Sequence, residues 1–170
     1  MKRFAPIVIA LLVVSCGSNP PTQPSQPAAP TFTSTLLPSN EVPPVQGTES
    51  TGQGTVTVTL NVTRDGNQNI TAATATFVVN LTGFPANTPI NLAHIHPGAV
   101  GVNGSPVVNL ALASGEVVLA NGSGSFTKSN INVPVDIANG LLNNPAGYYF
   151  NVHSALNSGG VARGQLTRTQ

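Results

Sequence analysis

The sequence predicts an all-β fold, an antiparallel β-sandwich of about eight strands. Three observations predict it. In residues 55–63 Val56, Val58, Leu60 and Val62 alternate with threonines and an asparagine, the period of a strand with one buried and one wet face. Clusters of Gly, Pro, Asn and Ser separate nearly all the apolar segments. Only residues 135–143 have the pattern of a helical turn or two, and Gly140 and Pro145 keep it short.

The elements follow in order. Residues 32–37 form the first strand candidate and 55–63 the next. Arg64-Asp65-Gly66-Asn67 is a turn signal, and 70–81 returns with Phe77, Val79 and Leu81 on one face, so this pair reads as a hairpin. Further candidates are 90–96, 106–113, 116–120, 125–133, 148–154 and 161–168. No internal repeat recurs at a fixed period. One cysteine in 170 residues permits no intramolecular disulfide, so core packing and the backbone ladder must supply the stability. The roughly 140 residues after the leader and spacer are enough for one domain.

The amino terminus has another logic. Lys2 and Arg3 precede an uncharged apolar run, residues 4–14, too short to span a bilayer as a permanent helix, which stops at Ser15-Cys16. Val13-Val14-Ser15-Cys16 resembles the lipobox of bacterial lipoproteins, which implies cleavage before Cys16 and acylation of its sulfur. Residues 17–30 contain five prolines, no charge and no large apolar side chain, so they read as an extended spacer of roughly 40 Å. The expected organisation is a signal peptide over 1–15, a lipidated cysteine and disordered linker over 16–30, and one domain over 31–170. The lipid is then the only membrane anchor. Gly17 stands where many inner-membrane lipoproteins carry aspartate, which favours an outer membrane where the cell has two.

Charged residues make up 6% of the chain and the formal net charge is +1. No basic face exists to neutralise a run of phosphates, which excludes nucleic acid as a partner. Gly98, Gly101 and Gly104 form a glycine-rich loop, but no strand-to-helix crossover follows to make a phosphate cradle. Ser154 lacks the acid, base and oxyanion groups of a hydrolase, and no catalytic residue is assigned.

The three histidines stand together in the strand pattern, His94-Ile95-His96 in one candidate and His153 in another. Residues two apart on a strand share a face, with Cα atoms about 6.5–7 Å apart, so two imidazoles can converge on one ion while a neighbouring strand supplies a third. Imidazole suits copper, zinc, iron and nickel. The competing reading is a set of packed rings bonded to separate backbone groups, with His94 and His96 sharing a face with Ile90 and Leu92. Asn151 shares the predicted face of His153 and is a candidate supporting donor. Glu41, between Asn40 and Val42-Pro43-Pro44, is a candidate metal ligand, counter-charge or loop cap.

At these residues the chain resembles the CHRD domain family, named from chordin and common in bacterial exported proteins. The matching segments are Leu37 to Val45 (LPSNEVPPV), Ala93-His94-Ile95-His96-Pro97-Gly98 with Gly101, Asn103, Gly104 and Pro106-Val107 following, and Tyr149 to Ser154 leading into Gly159-Gly160 and Arg163-Gly164-Gln165-Leu166. The family often has an acidic residue two before that arginine; here it is Val161, so no ion pair from that position is expected for Arg163. The chain is also similar, more weakly, to copper-zinc superoxide dismutase. That likeness implies an immunoglobulin-like or superoxide dismutase-like sandwich, His94, His96 and His153 as copper ligands, and Arg163 as the residue that steers an anion. The zinc-loop ligands, a bridging histidine and the disulfide have no counterpart. The expected role is therefore a lipid-anchored, extracytoplasmic binding module with a three-histidine site for copper or another transition metal. The alternatives are a copper-only dismutase-like redox enzyme and a metal-free interaction or structural module of the envelope.

Overall fold

The computed structural model describes residues 28–170. Cys16, the signal peptide and most of the spacer lie outside the described residues. No helix among those described is long and apolar enough to cross a membrane.

Ten strands form two antiparallel sheets. The first sheet has the order β10-β1-β2-β3-β7, built from β1 (Thr31–Leu36), β2 (Gln53–Arg64), β3 (Ile70–Thr82), β7 (Gly124–Asn132) and β10 (Thr167–Arg168). The second has the order β5-β4-β8-β9, from β4 (Thr88–Pro97), β5 (Val108–Asn109), β8 (Tyr148–Ser154) and β9 (Ala162–Gln165), with β6 (Val117–Leu119) also paired to β4. The turn expected at Asp65 closes the β2–β3 hairpin: one Asp65 side-chain oxygen accepts from the backbone N–H of both Asn67 and Asn69 at 2.9 Å. The one α-helix among the described residues, α1 (Val135–Asn143), falls where the sequence predicts it and buries Ala138 and Leu141.

The sandwich core follows from the alternation. Val56, Val58 and Leu60 of β2 and Phe77 and Val79 of β3 face Ala93 and Ile95 of β4 and Phe150 and Val152 of β8, all buried. Phe77 and Phe150 join the sheets as a stacked pair with ring centroids 5.9 Å apart.

Two expected strands differ. The segment expected over 106–113 shortens to Val108–Asn109, because the Asn109 side chain accepts from Ala111 N at 2.8 Å and Ala111 takes a positive φ of 50°, which turns the chain away from β4. The last strand divides: β9 pairs with β8 in the second sheet, and after Leu166 the chain crosses over so that β10 pairs with β1 in the first. This turns the nine strand candidates of the sequence into ten strands. At the same edge Leu37 bridges back to Arg163 through hydrogen bonds in both directions, 3.1 and 3.3 Å. That bridge lays the β1–β2 connection, and Glu41 with it, over the outer face of the second sheet.

Candidate metal centre

β4 is where simple alternation fails. Ile90 packs in the core, Leu92 is 40% exposed, and Ala93 and Ile95 point inward again. A register shift between Ile90 and Leu92 supplies the extra residue that changes the phase. The sequence places Ile90 on the histidine face; the bulge puts it on the opposite one. His94 and His96 accordingly face outward from the sandwich, yet each is only 6% exposed. Loops cover them.

Register brings the third ring alongside. Leu92 pairs with His153, His94 with Asn151, and His96 with Tyr149 across β4 and β8, and Asn151 pairs with Arg163 across β8 and β9. His94, Asn151 and Arg163 form one row on the outer face. Ring centroids lie 5.0 Å apart for His94 and His153, 5.5 Å for His94 and His96, and 6.1 Å for His96 and His153. One nitrogen from each ring lies within 4.8 Å of one from each of the others.

Backbone carbonyls set the tautomers. His96 Nδ1–H donates to Gly104 O at 2.8 Å and His153 Nδ1–H to Ser158 O at 2.9 Å. A carbonyl only accepts, so both Nε2 atoms carry lone pairs. His94 Nδ1 then donates to His153 Nε2 at 3.2 Å. Two nitrogens 2.0–2.1 Å from one ion at a tetrahedral angle are about 3.3 Å apart, so this pair already has the spacing of two ligands. His96 Nε2 is buried and has no partner. A buried, unpaired lone pair beside two more ring nitrogens is a poor arrangement for core rings and a good one for a cation. The residues present fit an all-nitrogen transition-metal site.

The rings are held neutral. Burial, then the proximity of His153 and His96, pushes His94 down to about 4. Burial also lowers His96 and His153, partly offset by the Gly104 and Ser158 carbonyls. Neutral imidazole is the ligating form.

The other predicted residues gather nearby. Arg163, 2% exposed, donates through Nε to Asn40 O at 2.7 Å and through Nη1 to Asn103 Oδ1 at 2.6 Å, and its guanidinium lies 4.5 Å from the Tyr149 ring centroid. Tyr149 in turn stacks on His96, 4.9 Å between centroids and 4° from parallel. The missing acid at Val161 costs no local partner, since that side chain is buried in the core. Glu41, 5% exposed, is the nearby counter-charge: burial raises its pKa to about 7 against the pull of Arg163 and of a hydrogen bond from Asn151. The two do not form an ion pair; Lys128 with Glu116 at 2.9 Å is the one ion pair among the described residues.

One participant, Glu49, has no obvious signal in the sequence, whereas Ser154 and Gly104 lie in the motifs quoted above. Buried Glu49 accepts from Ser154 Oγ and Asn157 Nδ2, both at 2.6 Å, which anchors the loop whose Ser158 carbonyl orients His153. Gly104 is needed because a Cβ there would overlap the Pro97 carbonyl oxygen; the glycine-rich loop thus lets its own backbone reach His96.

A β-sandwich with three converging histidines on one outer face defines a class of candidate metal-binding domain. The family is set by sequence: the CHRD domain model matches residues 32–166, and the chain belongs to that family. No curated protein and no solved structure matches the chain.

Proposed function

We propose that this protein is a lipid-anchored, extracytoplasmic CHRD-domain binding module that holds one transition metal ion, copper above others, through His94, His96 and His153. The observation that carries the reading is the pair of carbonyl-fixed tautomers, which leaves lone pairs on Nε2 of His96 and His153 in a cluster where one nitrogen of each of the three rings lies within 4.8 Å of the others. Three neutral imidazoles with no thiolate or carboxylate among them suit Cu(I), Cu(II) or Zn(II), and copper heads the divalent affinity order for such donors. To ligate through Nδ1, neutral His94 would carry its proton on Nε2 in place of the one it shares with His153.

The test is metal analysis of the full chain purified without a polyhistidine tag and equilibrated with equal copper and zinc. One copper per chain is expected, and no stoichiometric metal removes the reading. The anchor is tested separately: Cys16→Ala should leave unprocessed precursor, because one residue is both acyl acceptor and cleavage signal. A cleaved but unmodified wild-type product in the membrane fraction would sink the lipoprotein reading.

A further inference from the structure

Four buried side-chain polar atoms among the described residues have no hydrogen-bond partner: Glu41 Oε1, His96 Nε2, Asn151 Oδ1 and Arg163 Nη2. Two features tie them together. His94, Asn151 and Arg163 stand in one cross-strand row. A Cβ on Gly160 would lie 2.6 Å from Asn151 Nδ2 and 2.7 and 2.8 Å from the two Glu41 oxygens, so the amide and the carboxylate meet over that glycine. An unpaired buried polar atom is costly, and four in one layer call for occupants that pair them.

A metal at the rings accounts for His96 Nε2 alone. Of the remaining three, Arg163 Nη2 offers a hydrogen, while Glu41 Oε1 and Asn151 Oδ1 each require one. An occupant that satisfies all three accepts once and donates twice, which a water molecule does and a bare anion does not. Arg163 by itself favours an anion, but the Glu41 carboxylate cancels its charge and adds repulsion. Access exists on both sides of Glu41. A cleft of ≈ 350 Å³ runs past Asn40, Glu41, Val100 and Arg163, and another of ≈ 230 Å³ lies by Pro43, Glu41 and Gly160.

We infer that Glu41, Asn151 and Arg163 form a subsite beside the three histidines for a small, uncharged, hydrogen-bearing oxygen ligand, water in the resting protein, and that Glu41 turns small anions away. The inference rests on the metal reading, because the ligand of this subsite is sensed through the ion.

Azide titration of the Cu(II)-loaded full chain at pH 8, followed by the azide-to-copper charge-transfer band, tests it. Wild type should bind azide weakly, Glu41→Gln roughly tenfold or more tightly, and Arg163→Gln weaker than wild type by a similar factor. Copper stoichiometry is measured first for each protein. If Glu41→Gln fails to fold, the Arg163→Gln arm decides. Equal azide affinities in folded, copper-loaded proteins overturn the subsite and leave the metal site standing. A wild type that takes up no copper overturns both.

Discussion

On the outer face of the first sheet Thr33 and Thr57 stand in one cross-strand row and Thr31, Thr59 and Thr76 in the next, half-buried at most and facing solvent. On the outer face of the second sheet the corresponding row is His94, Asn151 and Arg163, and all three are buried. Threonine satisfies an open pleated face at little cost through its β-branch and hydroxyl. The second row is expensive, since each ring, amide and guanidinium must find a partner once the loops exclude water. A chain with only five acidic residues sets two of them, Glu41 and Glu49, in buried positions beside this layer. The contrast is why the proposed site is placed on the second sheet.

The contrast breaks most directly at the ligands. His94→Ala, His96→Ala and His153→Ala should each lower copper affinity by about 100-fold or more, while circular dichroism keeps its β signature. Unchanged titrations in all three remove the site. Gly104→Ala comes next: its Cβ must displace the Pro97 carbonyl, so denaturant unfolding should lose about 2–4 kcal/mol and copper affinity should fall with the displaced His96 acceptor. Glu49→Ala sharpens the comparison from further away. Loss of its bonds to Ser154 and Asn157 frees the Ser158 loop, and copper affinity should fall about tenfold with little change in stoichiometry.

The open face was the legible one. Residues 55–63 and 70–81 alternate without interruption because one side meets the core and the other meets water, and both strands form where expected. The three histidines and Asn151 are also visible from the strand period, Glu41 as a rare acid beside prolines, and Arg163 from the resemblance. What stayed hidden depends on nonlocal cover. The bulge that parts Ile90 from His94 leaves no composition mark, and burial of both faces of residues 93–96 draws on distant segments such as the Ser158 loop as well as on the adjacent glycine-rich loop. Glu49 carries no spacing signal, and the sequence pattern of Ser154 speaks only to its use as a nucleophile. Each acquires its role from a partner that sequence spacing does not reveal.

Acidity separates the groups of the covered face in the metal-free protein. The unfolded rings protonate near the reference value of about 6.5, whereas burial holds the folded ones lower, His94 at about 4. The unfolded chain therefore takes up more protons as pH falls through that interval, and stability present above about 6.5 is lost on the way down to 4. Glu41 has the opposite sign. Its folded pKa of about 7 exceeds the ordinary 4.5, so its contribution is complete below 4.5 and disappears as pH rises through 7. Urea unfolding across pH should show both limbs, and Glu41→Gln should flatten only the alkaline one. An unchanged alkaline limb would mean that Glu41 is not the buried acid described above.

The smallest expected effect lies on the open face and tests whether the two faces are independent. Thr59 pairs with Thr31 on one side and Thr76 on the other, contacts worth about 0.2–1 kcal/mol between threonines. Thr59→Ala should cost no more than that in urea unfolding and leave copper affinity unchanged within twofold. Between Thr59 and the histidines stands the whole core, where Phe77 stacks on Phe150 and Ala93 and Ile95 back the ligand strand. A close-packed interior passes on a change in volume but not the loss of a methyl and hydroxyl that project into solvent. A larger shift in copper affinity would mean that the two sheets move as one element, and the division into an inert face and a working face would have to be given up.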